Sequence, residues 1–163
     1  MHLSVMAGIR SDTIARATGS ERVVRAMPNT PAAVRQGVTV ACSGAGVTDA
    51  QRALCDSLLQ AIGVVAWVDD EALLDPVTAV SGSGPAYVFY LAECLAKAGE
   101  AAGLPAELAA RLARATVEGA GELMFQEPQT APSQLRINVT SPGGTTAAAL
   151  EVLMADAGLA ALM

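Results

Sequence analysis

The chain has 163 residues, of which 52% are hydrophobic and 3% aromatic, and its formal net charge is −6. The ten Lys and Arg residues are dispersed, which argues against nucleic acid as a partner, and no apolar run approaches the ~20 residues of a membrane span. Three widely spaced cysteines and one histidine, at position 2, predict neither a disulfide framework nor a metal site, in a soluble protein of the reducing cytoplasm.

The first part of the chain alternates strand-like and helix-like segments. Thr48 and Gln51 form a capping box for a helix that carries an apolar stripe of Leu54, Leu58, Ala61 and Ile62 and stops at Gly63. This order is typical of a doubly wound α/β sheet, here incomplete. Residues 1–69 are therefore interpreted as part of a Rossmann-like domain, with strands at 3–6, 23–26, 37–41 and, fully buried, 64–68, and a first helix at 11–17 that Gly19 ends.

Two glycine pairs invite comparison with a phosphate-binding loop. Gly44 and Gly46 are followed by Asp49 where a third glycine would stand, and Gly82 and Gly84 are followed by Tyr87. Neither pair is predicted to bind a dinucleotide phosphate.

From about residue 70 the strand pattern stops and helical periodicity takes over. Asp75 before Pro76 is predicted to cap a helix, and prolines 85 and 105 mark the starts of two longer ones. Residues 70–163 are predicted to form an all-helical bundle. Alanine is about a fifth of the chain, and small residues such as Ala92 and Gly119 occupy helix faces that would otherwise point outward. Such faces favour close packing against a second copy of the chain. The alternative is that the alanine content reflects only a general compositional bias.

The segment from Ser141 to Thr146, with sequence Ser-Pro-Gly-Gly-Thr-Thr, is predicted to be a turn of backbone that faces an anion. Pro142 fixes one φ angle, and Gly143 and Gly144 remove the Cβ atoms that would block a ligand or a positive φ. The helix after the turn presents free N–H groups and the positive end of its dipole. An ordinary tight turn before a helix is the alternative.

Three motifs occur together in order and spacing. They are Met-Pro-Asn-Thr-Pro at 27–31, Ser-Gly-Ser-Gly-Pro-Ala-Tyr at 81–87 and Val-Thr-Ser-Pro-Gly-Gly-Thr-Thr at 139–146. Together they resemble pyrroline-5-carboxylate reductase, over nearly the whole chain. The resemblance implies hydride transfer from NADPH or NADH to 1-pyrroline-5-carboxylate, giving L-proline. It also implies a homodimer through the helical domain, which would be a dimerisation bundle, and assembly into a larger ring.

The resemblance also assigns site residues. The substrate-binding residues would be Ser141, Gly143, Gly144, Thr145 and Thr146. The carboxylate would rest on the backbone N–H groups of residues 144–146, with the Ser141 hydroxyl nearby. Thr146 would be the catalytic residue, with its hydroxyl against the ring nitrogen or the carboxylate. Residues on the nicotinamide side would be Ala7, Gly8, Met27, Pro28 and Asn29. Residues 81–85 would form a tight helix entry near the site, or a turn without substrate contact. Relative to the family, the chain is expected to lack most of the Rossmann domain, including the phosphate loop, and to be inactive alone.

Two alternatives stay open beside the reductase. One is a non-catalytic helical dimerisation module derived from the same family. The other is a related imine or β-hydroxyacid dehydrogenase that uses a lysine as proton donor. Lys97, the single lysine, lies mid-helix between alanines, which disfavours the second alternative.

Overall fold

The computed structural model describes residues 1–162. They form two compact units, one of Met1–Cys94 and one that begins at Leu95. The strands found among the described residues lie in the first unit, whereas the second is helical. The domain boundary near residue 70 stays a prediction.

The first unit is built on a four-stranded mixed sheet in the order β1-β2-β3-β4. β1 and β2 run parallel, as do β3 and β4, and the helices that follow β1 and β3 connect them. β2 and β3 are antiparallel because only a 3₁₀ turn, Thr30–Val34, joins them, and parallel pairing needs a longer crossover. The α/β class is confirmed. The elements are β1 (His2–Ser4), α1 (Ser11–Thr18), β2 (Val23–Met27), β3 (Gly37–Ser43), α2 (Asp49–Gln60) and β4 (Gly63–Val68).

The predicted stop of α1 and the predicted start of α2 are confirmed, whereas α2 ends at Gln60, before the predicted stop at Gly63. α1 ends at Gly19, which adopts a left-handed φ of 66°. α2 begins with both hydrogen bonds of the predicted capping box, one between Thr48 Oγ1 and the Gln51 amide and one between the Gln51 side chain and the Thr48 amide. The first strand is shorter than predicted, since it ends at Ser4 and the next two residues are exposed.

The packing of α2 differs from the predicted apolar stripe. Cys55 and Leu59 are its buried residues, and they join Val24 and Ala41 in the main core. Leu54 and Leu58, predicted to face the core, are 54% and 57% exposed. The face of α2 that packs on the sheet is therefore the one that carries Cys55 and Leu59, each one position after a predicted core leucine.

The sequence predicts a buried β4, but none of its residues is buried. Val65 and Trp67 are half-buried against the core that α2 covers, whereas Val64 and Ala66 lie on the opposite face and are exposed.

The segment from 70 to 83 is a continuous series of helical turns. The Asp70 carboxylate accepts a hydrogen bond from Ala72 N at 2.9 Å and caps the 3₁₀ turn Glu71–Leu73. The prediction that Asp75 caps a helix is wrong, because the helical turns begin at Asp70 and Asp75 lies within α3 (Leu74–Val77). A π turn, Thr78–Gly82, follows.

The long helices begin and end close to the predicted signals. α4 starts at Gly84, and α4 and α5 are separated by a short link in which Gly103 has a φ of 98°. In the second unit, a Cβ placed on Gly99 would lie 3.2 Å from Ala109 Cβ, so small residues bring α4 and α5 close together. Among the residues described, no helix has the length and apolar character needed to cross a membrane. The remaining elements are α4 (Gly84–Ala101), α5 (Ala106–Gln126), α6 (Pro132–Asn138), α7 (Thr145–Leu153) and α8 (Leu159–Leu162).

Candidate functional site

Two loops leave the same edge of the sheet in the first unit. The first loop, residues 5–10, follows β1, and the second loop, residues 28–36, follows β2. Because β1 and β2 are parallel, with Ser4 paired to Arg25, their carboxyl ends share one edge. Ala7 and Gly8 lie in the first loop, whereas Pro28 and Asn29 open the second. The sheet therefore gathers the predicted nicotinamide-side residues at one edge.

Asn29 joins two of the sequence motifs. Its Nδ2 donates to the Ser81 carbonyl at 3.2 Å, and its Oδ1 accepts from Val38 N at 2.9 Å. Next to this bridge, Met27 packs on the π turn, where a Cβ placed on Gly82 would lie 3.0 Å from Met27 Cε. The motif at 27–31 and the turn at 81–85 are thus one structural unit. The Asn29 side chain is occupied by backbone partners, so it shapes the loop.

A buried ion pair stands beside the same edge. Arg25 Nη1 and Glu71 Oε1 are 2.9 Å apart, and their side chains are 8% and 17% exposed. The same Glu71 oxygen accepts a hydrogen bond from Ser11 N at 2.8 Å. Burial by itself would raise the pKa of Glu71, but the hydrogen bonds from Ser11 and Arg25, with the arginine charge, bring the pKa below its ordinary value of 4.5.

Neither Arg25 nor Glu71 is among the site residues predicted from the sequence. A usable signal was present, because Arg25 interrupts the apolar run Val-Val-Arg-Ala-Met of a predicted strand. A charged residue on a buried strand needs an ionic or hydrogen-bonded partner. The identity of that partner, 46 residues away, could not be read from the sequence.

The first loop leaves open space around its glycine. Gly8 has a φ of 73°, and a Cβ added there would meet no heavy atom within 4 Å. Ala7 and Gly8 are both exposed, so their backbone is open at the sheet edge. The assignment of Ala7 and Gly8 to the nicotinamide side stays a prediction.

The glycine pair at 44 and 46 has a structural role. Gly44 N donates to the Val23 carbonyl at 2.8 Å, and a Cβ on Gly44 would lie 2.9 Å from the Glu21 carbonyl oxygen. Gly44 therefore allows two backbone segments to meet at the end of the β2–β3 pair. The pair at 82 and 84 belongs to the π turn and the start of α4. The pair at 44 and 46 lies between β3 and α2, but Asp49 stands where a phosphate loop has its third glycine, and the pair at 82 and 84 follows helical turns instead of a strand.

The turn before α7 lies in the second unit. Gly144 N donates to the Ser141 carbonyl at 3.1 Å and closes the turn. The positive φ, 68°, belongs to Gly143, whereas Gly144 has a φ of −84° that any residue can adopt. Only Gly143 therefore requires glycine for its conformation.

The first turn of α7 offers backbone donors. Within residues 1–162, the N–H groups of Thr145, Thr146 and Ala147 have no hydrogen-bond partner in the chain, and no side chain caps the helix. Gly144 N–H is already used in the turn, so an anion here would meet the amides that follow it. Ser141, Thr145 and Thr146 are exposed.

An apolar hollow of about 420 Å³ lies in the first unit between β3, β4 and α3. Its walls include Val38 and Ser81, which also hold the Asn29 bridge, but no charged side chain. This hollow does not match a carboxylate or a phosphate, so it is not the anion site.

The chain matches a known family in sequence and in structure. A family model described as pyrroline-5-carboxylate reductase dimerisation matches residues 71–163, more than half of the chain. The chain belongs to the pyrroline-5-carboxylate reductase family. The family member from Pseudomonas aeruginosa is 45% identical over 155 residues, which are 94% of this chain and 56% of that protein.

Solved structures of the family agree with this assignment. The reductase of Coxiella burnetii superposes with a TM-score of 0.89 at 42% identity, over 98% of this chain and 59% of that chain. The Plasmodium falciparum enzyme, solved with NADP bound, gives a TM-score of 0.78 at 34% identity, over 93% of this chain and 61% of that chain. The chain spans somewhat more than half the length of these relatives.

Proposed function

We propose that the protein reduces 1-pyrroline-5-carboxylate to L-proline by hydride transfer from NADPH or NADH. The observation that carries the proposal is the family match, since the P. aeruginosa relative at 45% identity is a pyrroline-5-carboxylate reductase. NADP bound to the P. falciparum relative supports the choice of a nicotinamide cofactor. When bound, the cofactor supplies the hydride, and the chain supplies binding and orientation.

In this proposal the substrate carboxylate rests on the first turn of α7. The N–H groups of Thr145 and Thr146 are free to donate, and the helix dipole favours an anion there. The Ser141 and Thr146 hydroxyls add donors, Thr146 towards the carboxylate or the ring nitrogen. Gly143 and Gly144 act through the backbone, the first by its positive φ and the second by closing the turn.

The nicotinamide side is assigned to the loops at the sheet edge. Ala7 and Gly8 would present open backbone, and Met27 with Pro28 would form an apolar wall. Asn29 would keep the second loop against residues 81–85 through its two hydrogen bonds. The residues that would hold the dinucleotide phosphates are not among these loops, so residues 1–163 alone are proposed to turn over slowly or not at all.

We also propose a homodimer through the helices, assembling into a larger ring as the family resemblance suggests. No residue of α4 is buried in the single chain, and large side chains such as Phe89 and Tyr90 are 61% and 63% exposed. Monomeric proteins rarely expose a continuous apolar surface of this kind. Among the small residues of α5, Ala109 and Ala113 are buried within the chain and serve a different contact, whereas Gly119 is exposed.

A cytoplasmic location is proposed from the cysteines. Cys42, Cys55 and Cys94 are free thiols, and two of them are buried. Burial, followed by the nearby carboxylates of Glu71, Asp70 and Asp69, raises the pKa of the Cys42 thiol. That thiol is a neutral core group, which fits a reducing compartment.

The test compares two proteins in one assay, the oxidation of NADPH in the presence of 1-pyrroline-5-carboxylate. One is the chain itself, and the other is a chimera in which the N-terminal segment of the P. aeruginosa relative precedes it. Turnover by the chimera and little by the chain supports the reductase. A folded, dimeric chimera without turnover would refute it in favour of the non-catalytic dimerisation module.

A further inference from the structure

One carboxylate oxygen ties together three segments that are far apart in sequence. Glu71 Oε1 accepts from Ser11 N at 2.8 Å and from Arg25 Nη1 at 2.9 Å. Ser11 begins α1 directly after the first loop. Arg25 lies on β2, two residues before Met27 and four before Asn29. The flanks of both loops at the sheet edge therefore converge on a single atom.

The contact replaces the usual cap of α1. Arg10 stands at the N-cap position, and its side chain makes no capping hydrogen bond. The first amide of the helix is satisfied instead by a residue 60 positions later. The end of the first loop is thus fixed by Glu71.

Among residues 1–162, neither Ser11 N nor the Arg25 side chain has a hydrogen-bond partner other than Glu71. The Arg25 side chain is 8% exposed, so losing Glu71 would leave a guanidinium buried without its carboxylate. Asp12, in the first turn of α1, is a suitable control for Glu71 because it is another carboxylate of the first unit that pairs with an arginine. It is 60% exposed and pairs with Arg16 and, at 4.0 Å, with Arg10 at the end of the first loop, so its loss affects exposed ion pairs and leaves the buried one intact.

We propose that Glu71 is a positioning residue for hydride transfer, holding the first loop and the start of the second loop in the geometry that orients the nicotinamide. Glu71 acts through Ser11 and Arg25 and does not itself contact the reacting atoms. The inference rests on the proposed function, because only a bound nicotinamide gives the two loops a common task. A misplacement of about 1 Å at a reacting centre can lower the rate about a hundredfold.

The first experiment requires no catalysis. Backbone amide spectra of the chain are compared for wild type, Glu71→Gln, Glu71→Ala and Asp12→Asn. We expect Glu71→Ala to shift Ser11, residues 7–8 and residues 27–29, with a smaller effect for Glu71→Gln, which keeps an acceptor oxygen. Asp12→Asn should shift amides of α1 and of its neighbour Arg10 but leave residues 7–8 and 27–29 unchanged. Unchanged amides in both loops of a folded Glu71 variant would overturn the proposal. If the Ala variant fails to fold, the Gln variant decides.

The second experiment uses the chimera and NADPH deuterated at the transferred position. We expect Glu71→Gln to lower kcat about tenfold or more and to raise the isotope effect on kcat, with KM for NADPH changed less than about threefold. A loss of folded protein would lower the rate without altering the isotope effect. An unchanged isotope effect with a lowered rate therefore overturns the positioning role. A wild-type chimera without turnover refutes the proposed function instead, and the amide spectra still report on Glu71.

Discussion

Replacing Asn29 by alanine tests whether the motifs at 27–31 and 81–87 form one unit. The substitution removes both hydrogen bonds of the side chain, to Val38 N and to the Ser81 carbonyl, in a half-buried position. Each such bond contributes about 0.5–1.5 kcal/mol net, so the loss should be about 1–3 kcal/mol. For a chain of this size, each kcal/mol lowers Tm by about 2–4 °C.

Two further variants sharpen the test. Asn29→Asp keeps an acceptor for Val38 N but places an oxygen against the Ser81 carbonyl, so it should destabilise at least as much as alanine. Asn138→Ala is the matched control, because Asn138 is exposed on α6 and its side chain, within the part of the chain that the structure describes, bonds to Gln134 alone. It should change stability by less than about 0.5 kcal/mol.

The assay is urea denaturation followed by circular dichroism, with hydrogen exchange of the peptide that contains Ser81. Asn29→Ala should lower the midpoint and speed exchange in both motifs. If Asn29→Ala lowers the unfolding free energy no more than Asn138→Ala does, or if hydrogen exchange around Ser81 is unchanged, the Asn29 side chain does not join the two motifs.

Four other outcomes are expected. In the chimera, Thr146→Val should lower kcat/KM for 1-pyrroline-5-carboxylate about tenfold to a hundredfold with NADPH affinity unchanged, and an effect below twofold would limit Thr146 to starting the helix. Gly143→Ala should lower the unfolding free energy by about 1–2 kcal/mol, because Gly143 has a φ of 68°. Gly144→Ala should lower it less, because Gly144 has a φ of −84°. Equal losses for the two variants would contradict the assigned turn. The pKa of Glu71 is lower in the folded protein than its ordinary value of 4.5, so ionised Glu71 contributes to folding stability above pH 4.5 and the contribution is lost as pH falls through the folded pKa. The difference in unfolding free energy between wild type and Glu71→Gln should therefore shrink in acid. A difference independent of pH would argue against the ion pair. Light scattering should find a dimer that Phe89→Asp weakens, and a compact wild-type monomer at micromolar concentration would exclude it.

The sequence predicted what depends on neighbouring residues. The capping box of Thr48 and Gln51, the stop at Gly19 and the start of α4 all involve groups within a few positions of each other, and each is present. The order of motifs also identified the family, because spacing along the chain is itself a sequence property. The role of single site residues was predicted only by resemblance and stays a proposal.

Contacts between distant segments decided the rest. The face of α2 that is buried depends on how the sheet receives the helix, so Leu59 enters the core and Leu58 does not. The antiparallel β2–β3 pair follows from a short link whose geometry the apolar pattern does not encode. Asn29 meets Ser81 across 52 residues, and Glu71 meets Arg25 across 46 and Ser11 across 60. Sequence patterns record local hydrogen bonding and the period of apolar residues. Which buried charge finds which partner is settled only when the sheet brings the segments together, because there the cost of an unpaired charge selects the pairing.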